Sequence, residues 1–475
     1  MERYDPEFRF SSKSSALFVR PRLYVKHLPF VSTQPPLNLA MLAAVALRAG
    51  GKADILDLDV EVEKSFEEKI RRDRPDTIAF TAMTPQVPEA YRLAKKAKEI
   101  HPSTTVVIGG PHASALPERT LLECAEIDRV VIGEGELPLL AGLENGWDEK
   151  TPGTACRDRS GEPVINERPA PLENLDLLPP PARHILPMKK YRGQSYRGFS
   201  RDVLKLQEIV TARGCPASCI FCACGVVHGK GVRAKPVESV KKEINELVST
   251  YGARHFVVLD DTFNADRDRA AAIAEVFRKR SLTFSVTMRA RKTDYELALH
   301  LSKCGCTGAA MGGESGSGRI RKLIGKGASG ENIITAFDAL HRAGIKNIEA
   351  DFMLTSHPDE TWEDFAETEK LIRRIRPDIL FLSIAVPLPG TRLREIMLKE
   401  KLLSDDVPWD RYLFYGEPPP WRAKHFTGEE LVRHQRRILR KYLFSGRSIA
   451  GRLRKIASVR ELRYYISAGI AFLRG

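Results

Sequence analysis

Cys215, Cys219 and Cys222 stand in the run Gly214-Cys215-Pro216-Ala217-Ser218-Cys219-Ile220-Phe221-Cys222. Thiolates are soft ligands, and three in so short a segment select zinc or an iron–sulfur cluster. A structural zinc site closes with four ligands, and Cys224 or His228 could supply the fourth. On a four-iron cluster, three ligands leave one iron open to chelation by a small molecule, which turns an electron carrier into a catalyst. Eight cysteines in 475 residues do not make a disulfide scaffold, so the cluster of three points to metal chemistry in a reducing compartment. Cys224 falls outside the spacing, and Cys304 and Cys306 are expected to be buried packing residues.

The cysteine run directly follows a strand expected at 206–211. Further strands are expected at 255–259, 283–287, 308–311, 347–354 and 379–384. Helical stretches at 237–250, 267–280, 294–302, 331–343 and 362–374 separate them. Six strand–helix units in about 180 residues suit a (β/α)6 partial TIM barrel better than the eight-unit form, which runs to about 250 residues. A loop at the carboxyl end of a barrel strand is also where such folds keep their chemistry.

Residues 1–145 show a second alternation, with strands at 53–58, 76–81, 104–108 and 129–132 between helices. This predicts a doubly wound, Rossmann-like parallel sheet, in which ligands bind beyond the carboxyl ends of the strands. Those ends carry Thr81-Ala82-Met83-Thr84, Gly109-Gly110-Pro111-His112 and Gly133-Glu134-Gly135-Glu136. Their glycines serve either tight turns or a ligand site; no Gly-x-Gly-x-x-Gly fingerprint is present. Residues 146–200 hold eight prolines between Pro152 and Pro187, which predicts a surface linker. Residues 201–390 then form the barrel, and residues 391–475 a basic helical region.

The formal net charge is +14, and residues 422–475 carry +11 of it. The stretches 428–444 and 449–473 read as basic amphipathic helices. Such helices either dock on an anionic membrane surface or pack on the fold with a solvated basic face. Confinement of the charge to this tail argues against a nucleic-acid-binding protein, and no partner of that kind is expected. A non-catalytic metal protein is the other rival. The longest apolar runs fall short of a membrane span and no signal peptide is visible, so a cytoplasmic location is expected, with peripheral contact on the inner membrane face through the basic helices.

The cysteine spacing, in this position, resembles the signature of the radical S-adenosylmethionine superfamily. Pro35-Pro36-Leu37-Asn38-Leu39, Gly109-Gly110-Pro111-His112, Gly133-Glu134-Gly135-Glu136, Asp260-Asp261-Thr262-Phe263, Gly313-Glu314-Ser315-Gly316-Ser317 and Pro387-Leu388-Pro389-Gly390-Thr391 extend the likeness over nearly the whole chain. Together they resemble the subgroup with an N-terminal cobalamin-binding domain. The resemblance implies that Cys215, Cys219 and Cys222 hold a [4Fe–4S] cluster whose open iron binds S-adenosylmethionine. It implies that Phe221 packs near the adenine and that Glu314, with Ser315 beside it, contacts the ribose or amino group. Asp260 and Asp261 would face the same cavity or cap the following helix.

In the first domain, Thr81, Thr84, Gly109, Gly110, Glu134 and Gly135 are the implied cobalamin contacts. The Asp-x-His-x-x-Gly loop that supplies a cobalt ligand in many such domains is missing, and neither His27 nor His112 has its context. The resemblance implies reductive cleavage of S-adenosylmethionine and methyl transfer to an unactivated carbon of a small-molecule or lipid-like substrate. Oxidative cyclisation or another rearrangement is the alternative. A flavodoxin or ferredoxin is the implied reducing partner.

Overall fold

The computed structural model describes residues 14–24, 34–191, 205–414, 417–446 and 448–449. His27, and the helix expected over 449–473 apart from its first residue, lie outside them. Two α/β sheets dominate. The first contains β1 (Ser15–Arg20), β2 (Lys52–Asp57), β3 (Thr77–Thr81), β4 (Thr105–Gly109), β5 (Arg129–Val131), β6 (Thr154–Arg157) and β7 (Pro163–Ile165), in the order β2-β1-β3-β4-β5-β6-β7. The first five are parallel. Alternate residues of β1 serve opposite faces. Leu17 and Val19 join one buried cluster with the helices 64–73 and 87–100, whereas Ala16 and Phe18 join another with the helix Leu37–Arg48. That doubly covered apolar run is what a parallel strand needs.

The stretch expected to be a linker departs from that reading. Within it β6 and β7 extend the first sheet in antiparallel fashion. Thr154–Arg157 contains no proline, and Pro163 begins the edge strand β7, where a missing N–H costs no ladder bond. In the rest of the segment Leu175, Leu178, Ala182, Leu186, Met188 and Tyr191 pack on the first domain, while buried Arg183 reaches the barrel, donating to Glu243 Oε1 at 3.1 Å and to the Glu208 carbonyl at 2.7 Å.

In the barrel, β8 (Leu206–Ile209), β11 (His255–Val258), β12 (Thr283–Met288), β13 (Cys306–Glu314), β14 (Asn347–Leu354) and β15 (Ile379–Ile384) are all parallel and lie in sequence order. Between β8 and β11 a two-residue pair, β9 (Ala212–Arg213) and β10 (Arg233–Ala234), closes the base of the cysteine loop. The helix Gly428–Leu443 packs on the barrel through Leu431, Val432 and Ile438, and Gln435 donates to the Leu382 carbonyl at 2.6 Å. This half of the basic tail is therefore a packed element. The preceding segment behaves differently: Ala385, Val386, Leu393, Trp409, Tyr412 and Trp421 complete the core of the first domain. Among the described residues no helix is long and apolar enough to cross a membrane.

Candidate functional site

The cysteine loop leaves β8 at a point fixed by Asp260. This buried carboxylate accepts the Thr211 N–H at 2.6 Å, the Ala212 N–H at 2.9 Å and the Thr211 hydroxyl at 2.5 Å. Asp261 accepts the Gly214 N–H at 3.1 Å, one residue before Cys215. Both acids thus brace the loop. Neither caps the next helix, which starts at Arg267 and is capped by Asp266. Gly214 has φ +87°, and a Cβ there would lie 2.4 Å from the Gly231 carbonyl oxygen. The turn therefore admits glycine alone.

All three loop cysteines are free thiols; Cys222 is exposed, and Cys215 and Cys219 are half-buried. Arg289 donates toward Cys215 Sγ at 3.7 Å, and the Thr262 hydroxyl lies 3.4 Å from the same sulfur. Burial pushes the Cys219 and Cys222 thiols up; each is raised further by neighbouring thiols and Glu314, while Lys326 and Arg289 oppose this at Cys219. Both residues that could complete a structural zinc set have partners of their own. Burial and a hydrogen bond with Asp261 hold Cys224 as a thiol, and His228 Nδ1 meets Glu134 at 2.7 Å.

Glu314 ends β13 in the left-handed region, with φ +60°. Its Oε1 accepts from Lys326 Nζ at 2.6 Å, and the ammonium charge also reaches Cys219. A Cβ on Gly312 would stand 2.2 Å from Glu314 Oε1, so the missing side chain makes room for the pair. Ser315 points into the protein instead: its hydroxyl lies 3.3 Å from Glu360 Oε1 and 3.5 Å from Thr368 Oγ1. Full burial pushes the Glu360 carboxyl up to about 8. Ser315 therefore supports the Glu314 turn and does not line the cavity side. Phe221 and Ile220 pack against the core of the first domain.

At the strand ends of the first sheet, the Thr81 hydroxyl accepts from Asn38 at 3.0 Å. Gly110 has φ +101°, and a Cβ would meet the Ala82 carbonyl oxygen at 2.9 Å. Gly109 is partly exposed beside Val131, and Gly135 lies against Leu42. Thr84 is buried at 4% exposure with its hydroxyl 3.4 Å from His112 Nδ1, so it faces inward. His112 stacks edge-on to Trp409, and burial, then Arg119 and Arg394, hold its imidazole down at about 3.

Glu134 also has work the strand-end reading did not anticipate. It accepts from Arg233 at 2.7 and 3.0 Å and lies 3.4 Å from Arg213, whose other nitrogen meets Glu136 at 2.6 Å. These contacts bolt the first sheet to the base of the cysteine loop. Arg213, Arg233, Arg289 and Lys326 were missed from sequence; only Lys326, lying between Gly325 and Gly327, gave a local signal.

The donor chemistry fits a [4Fe–4S] cluster: three free thiols on one loop, beside Arg289 and Lys326, with the neighbouring Cys224 tied to Asp261. The first sheet fits a bulky ligand through small residues at two strand ends, Thr81 and Gly109-Gly110, and through Met83, which is 51% exposed there, whereas Gly133 at the third is buried against Arg168. His112, buried under Trp409, is not presented to that edge.

A B12 binding domain family model matches residues 28–142, and a Radical SAM superfamily model matches residues 209–372. An uncharacterized methyltransferase of Pyrococcus horikoshii is 34% identical over 422 residues, covering 87% of this chain and 88% of that protein. The anaerobic magnesium-protoporphyrin IX monomethyl ester cyclase of Rubrivivax gelatinosus is 29% identical, over 79% of this chain and 69% of its own. Among solved structures, the radical S-adenosylmethionine methyltransferase TsrM from Kitasatospora setae, with cobalamin and a [4Fe–4S] cluster bound, superposes with a TM-score of 0.67 at 17% identity, over 91% of this chain and 89% of that one.

Proposed function

This chain belongs to the radical S-adenosylmethionine enzymes that carry an N-terminal cobalamin-binding domain, and from that premise we propose that it methylates an unactivated carbon of a small-molecule or lipid-like substrate. Its cofactors are a [4Fe–4S] cluster, S-adenosylmethionine and cobalamin. The reading rests chiefly on one observation: the edge of the first sheet where its strands end meets the cysteine loop. The helices Pro111–Ala115 and Cys224–His228 come together there, and a Cβ on Gly390 would touch both Val226 and Ala115.

When bound, these groups supply one-electron cleavage of a carbon–sulfur bond and a transferable methyl group. The chain's own residues position them. Cys215, Cys219 and Cys222 would hold the cluster as thiolates. Arg289, donating toward Cys215 Sγ, would offset the negative charge of the sulfur ligands. Lys326 donates to Glu314 Oε1, and this held carboxylate would accept from an ammonium or ribose hydroxyl. Asp260 and Asp261 hold the loop entry. Phe221 would border the adenine, and Thr81, Gly109, Gly110 and Gly135 the corrinoid.

Anaerobic reconstitution tests the proposal. The wild-type chain should turn brown, retain corrinoid on desalting and cleave S-adenosylmethionine. Cys219→Ala should lose cleavage; retained cleavage would sink the cluster assignment. With substrate in hand, product gaining a methyl group supports methyl transfer, and a ring closure without methyl gain favours the cyclase alternative. The reductant we propose is a flavodoxin- or ferredoxin-type protein. Peripheral membrane contact is proposed on the apolar and basic pattern of residues 449–473 alone, and sedimentation with anionic vesicles tests it.

A further inference from the structure

At the end of β13 remote from Glu314 lies a group of side chains that the chemistry above does not use. Cys306 begins that nine-residue strand, so the two ends stand about 26 Å apart at roughly 3.3 Å per residue. Glu275 sits in the last turn of the helix Arg267–Arg278. His300 and Cys304 come from the end of the neighbouring helix Tyr295–Lys303, four residues apart and so on one face.

Three atoms converge. Cys304 Sγ is 3.3 Å from Glu275 Oε1 and 3.7 Å from His300 Nε2, and His300 Nε2 is 3.7 Å from the same Glu275 oxygen. A tetrahedral zinc ion binds sulfur at about 2.3 Å and nitrogen or oxygen at about 2.0–2.2 Å. Those bond lengths put pairs of its ligand atoms roughly 3.3–3.6 Å apart, so the observed triangle is nearly that of three tetrahedral corners.

The surroundings suit the site. Arg278 occupies the other Glu275 oxygen, with its nitrogens 2.7 Å away, and leaves Oε1 to the triangle. The remaining polar contact of His300 Nε2 is the Ala271 carbonyl at 3.4 Å. The position of Cys304 is fixed by Gly305, whose φ of +94° and approach to the Leu282 carbonyl exclude any side chain. The His300 and Glu275 side chains are 38% and 33% exposed, which gives an ion a way in.

We propose that Glu275, His300 and Cys304 form a second metal site, a three-ligand tetrahedral seat for Zn²⁺ that clips two barrel helices together. Thiolate and imidazole favour a borderline transition ion over magnesium or calcium, which demand oxygen ligands. Water takes the fourth position. Binding exchanges the Cys304 S–H proton for the metal: a sulfur–zinc bond forms and a proton leaves to solvent, with no change of oxidation state.

The test uses the full chain with its iron–sulfur cluster reconstituted, dialysed against zinc buffered by a chelator. Elemental analysis should find about one added zinc per chain with iron content unchanged. His300→Ala and Glu275→Gln, both on partly exposed side chains, should each weaken that binding about 100-fold or more, since even outer-shell partners of a metal are worth 10–100-fold. Both variants should still cleave S-adenosylmethionine, which confirms folding. Three results overturn the proposal: no zinc uptake, uptake equal in wild type and both variants, or uptake matched by loss of iron, which would place zinc in the Cys215 loop.

Discussion

Replacing Glu134 by Gln separates two roles for one carboxylate. Its side chain is 11% exposed and meets His228, Arg233 and Arg213. Burial works to raise its pKa, but hydrogen bonds from His228 and Arg233, and then the charges of Arg213 and Arg233, bring it down from 4.5 to about 2. At about 1.4 kcal/mol per unit, that shift makes the ionised carboxylate worth about 3 kcal/mol. Because the folded-state value is depressed, this stability is fully present above pH 4.5 and is lost as pH falls from there toward 2.

Glu134→Gln should therefore lower unfolding stability by about 3 kcal/mol at pH 7, the scale expected when one partner of a buried ion pair is removed. Urea denaturation followed by tryptophan fluorescence measures it, and the gap between wild type and variant should narrow below pH 4.5. A loss under about 1 kcal/mol would refute the bolt between the domains. If stability held while bound corrinoid was released, Glu134 would instead be a ligand contact.

Three further outcomes follow from the same geometry. Asp260→Asn turns an amide N–H toward the backbone donors of the loop entry; urea unfolding should show a loss of about 2–3 kcal/mol, with lower iron retention after reconstitution. Gly110→Ala places a side chain at φ +101° against the Ala82 carbonyl, and should lower stability by about 1–3 kcal/mol and weaken corrinoid retention on desalting. Lys326→Met strands the buried Glu314 carboxylate; about 3 kcal/mol of stability should go, and equilibrium dialysis should show weaker S-adenosylmethionine binding.

The barrel was legible because short strand-like runs alternate with amphipathic helices at a regular spacing, so β14 and β15 fall at the expected residues. Strand β1, paired between β2 and β3, went unread: Ala16-Leu17-Phe18-Val19 is a short apolar run with no preceding element to set a rhythm. The cluster cysteines were legible because their spacing is local. The bracing of their loop was not, since Asp260 acts on Thr211 and Ala212, some fifty residues earlier. In sequence, Asp260-Asp261 offers helix capping as readily, and Asp266 takes that role. Glu134 and Glu136 were visible as strand-end residues, yet their partners Arg213 and Arg233 come from the other domain. Ser315 reads as a cavity residue beside Glu314, but the left-handed backbone at Glu314 turns the following side chain toward Glu360.

The packing of Ala385, Val386, Leu393, Trp409, Tyr412 and Trp421 into the core of the first domain bears on how the chain is made. The strands of that domain are synthesised before the barrel, but the apolar surface they share with this segment stays uncovered until residues 385–421 have been made. Domains usually fold as units in order of synthesis. Here the cobalamin-binding domain waits for a segment that follows the barrel, so its face is open to chaperones while the barrel is being made, and a fragment ending with the first sheet would be short of part of its core.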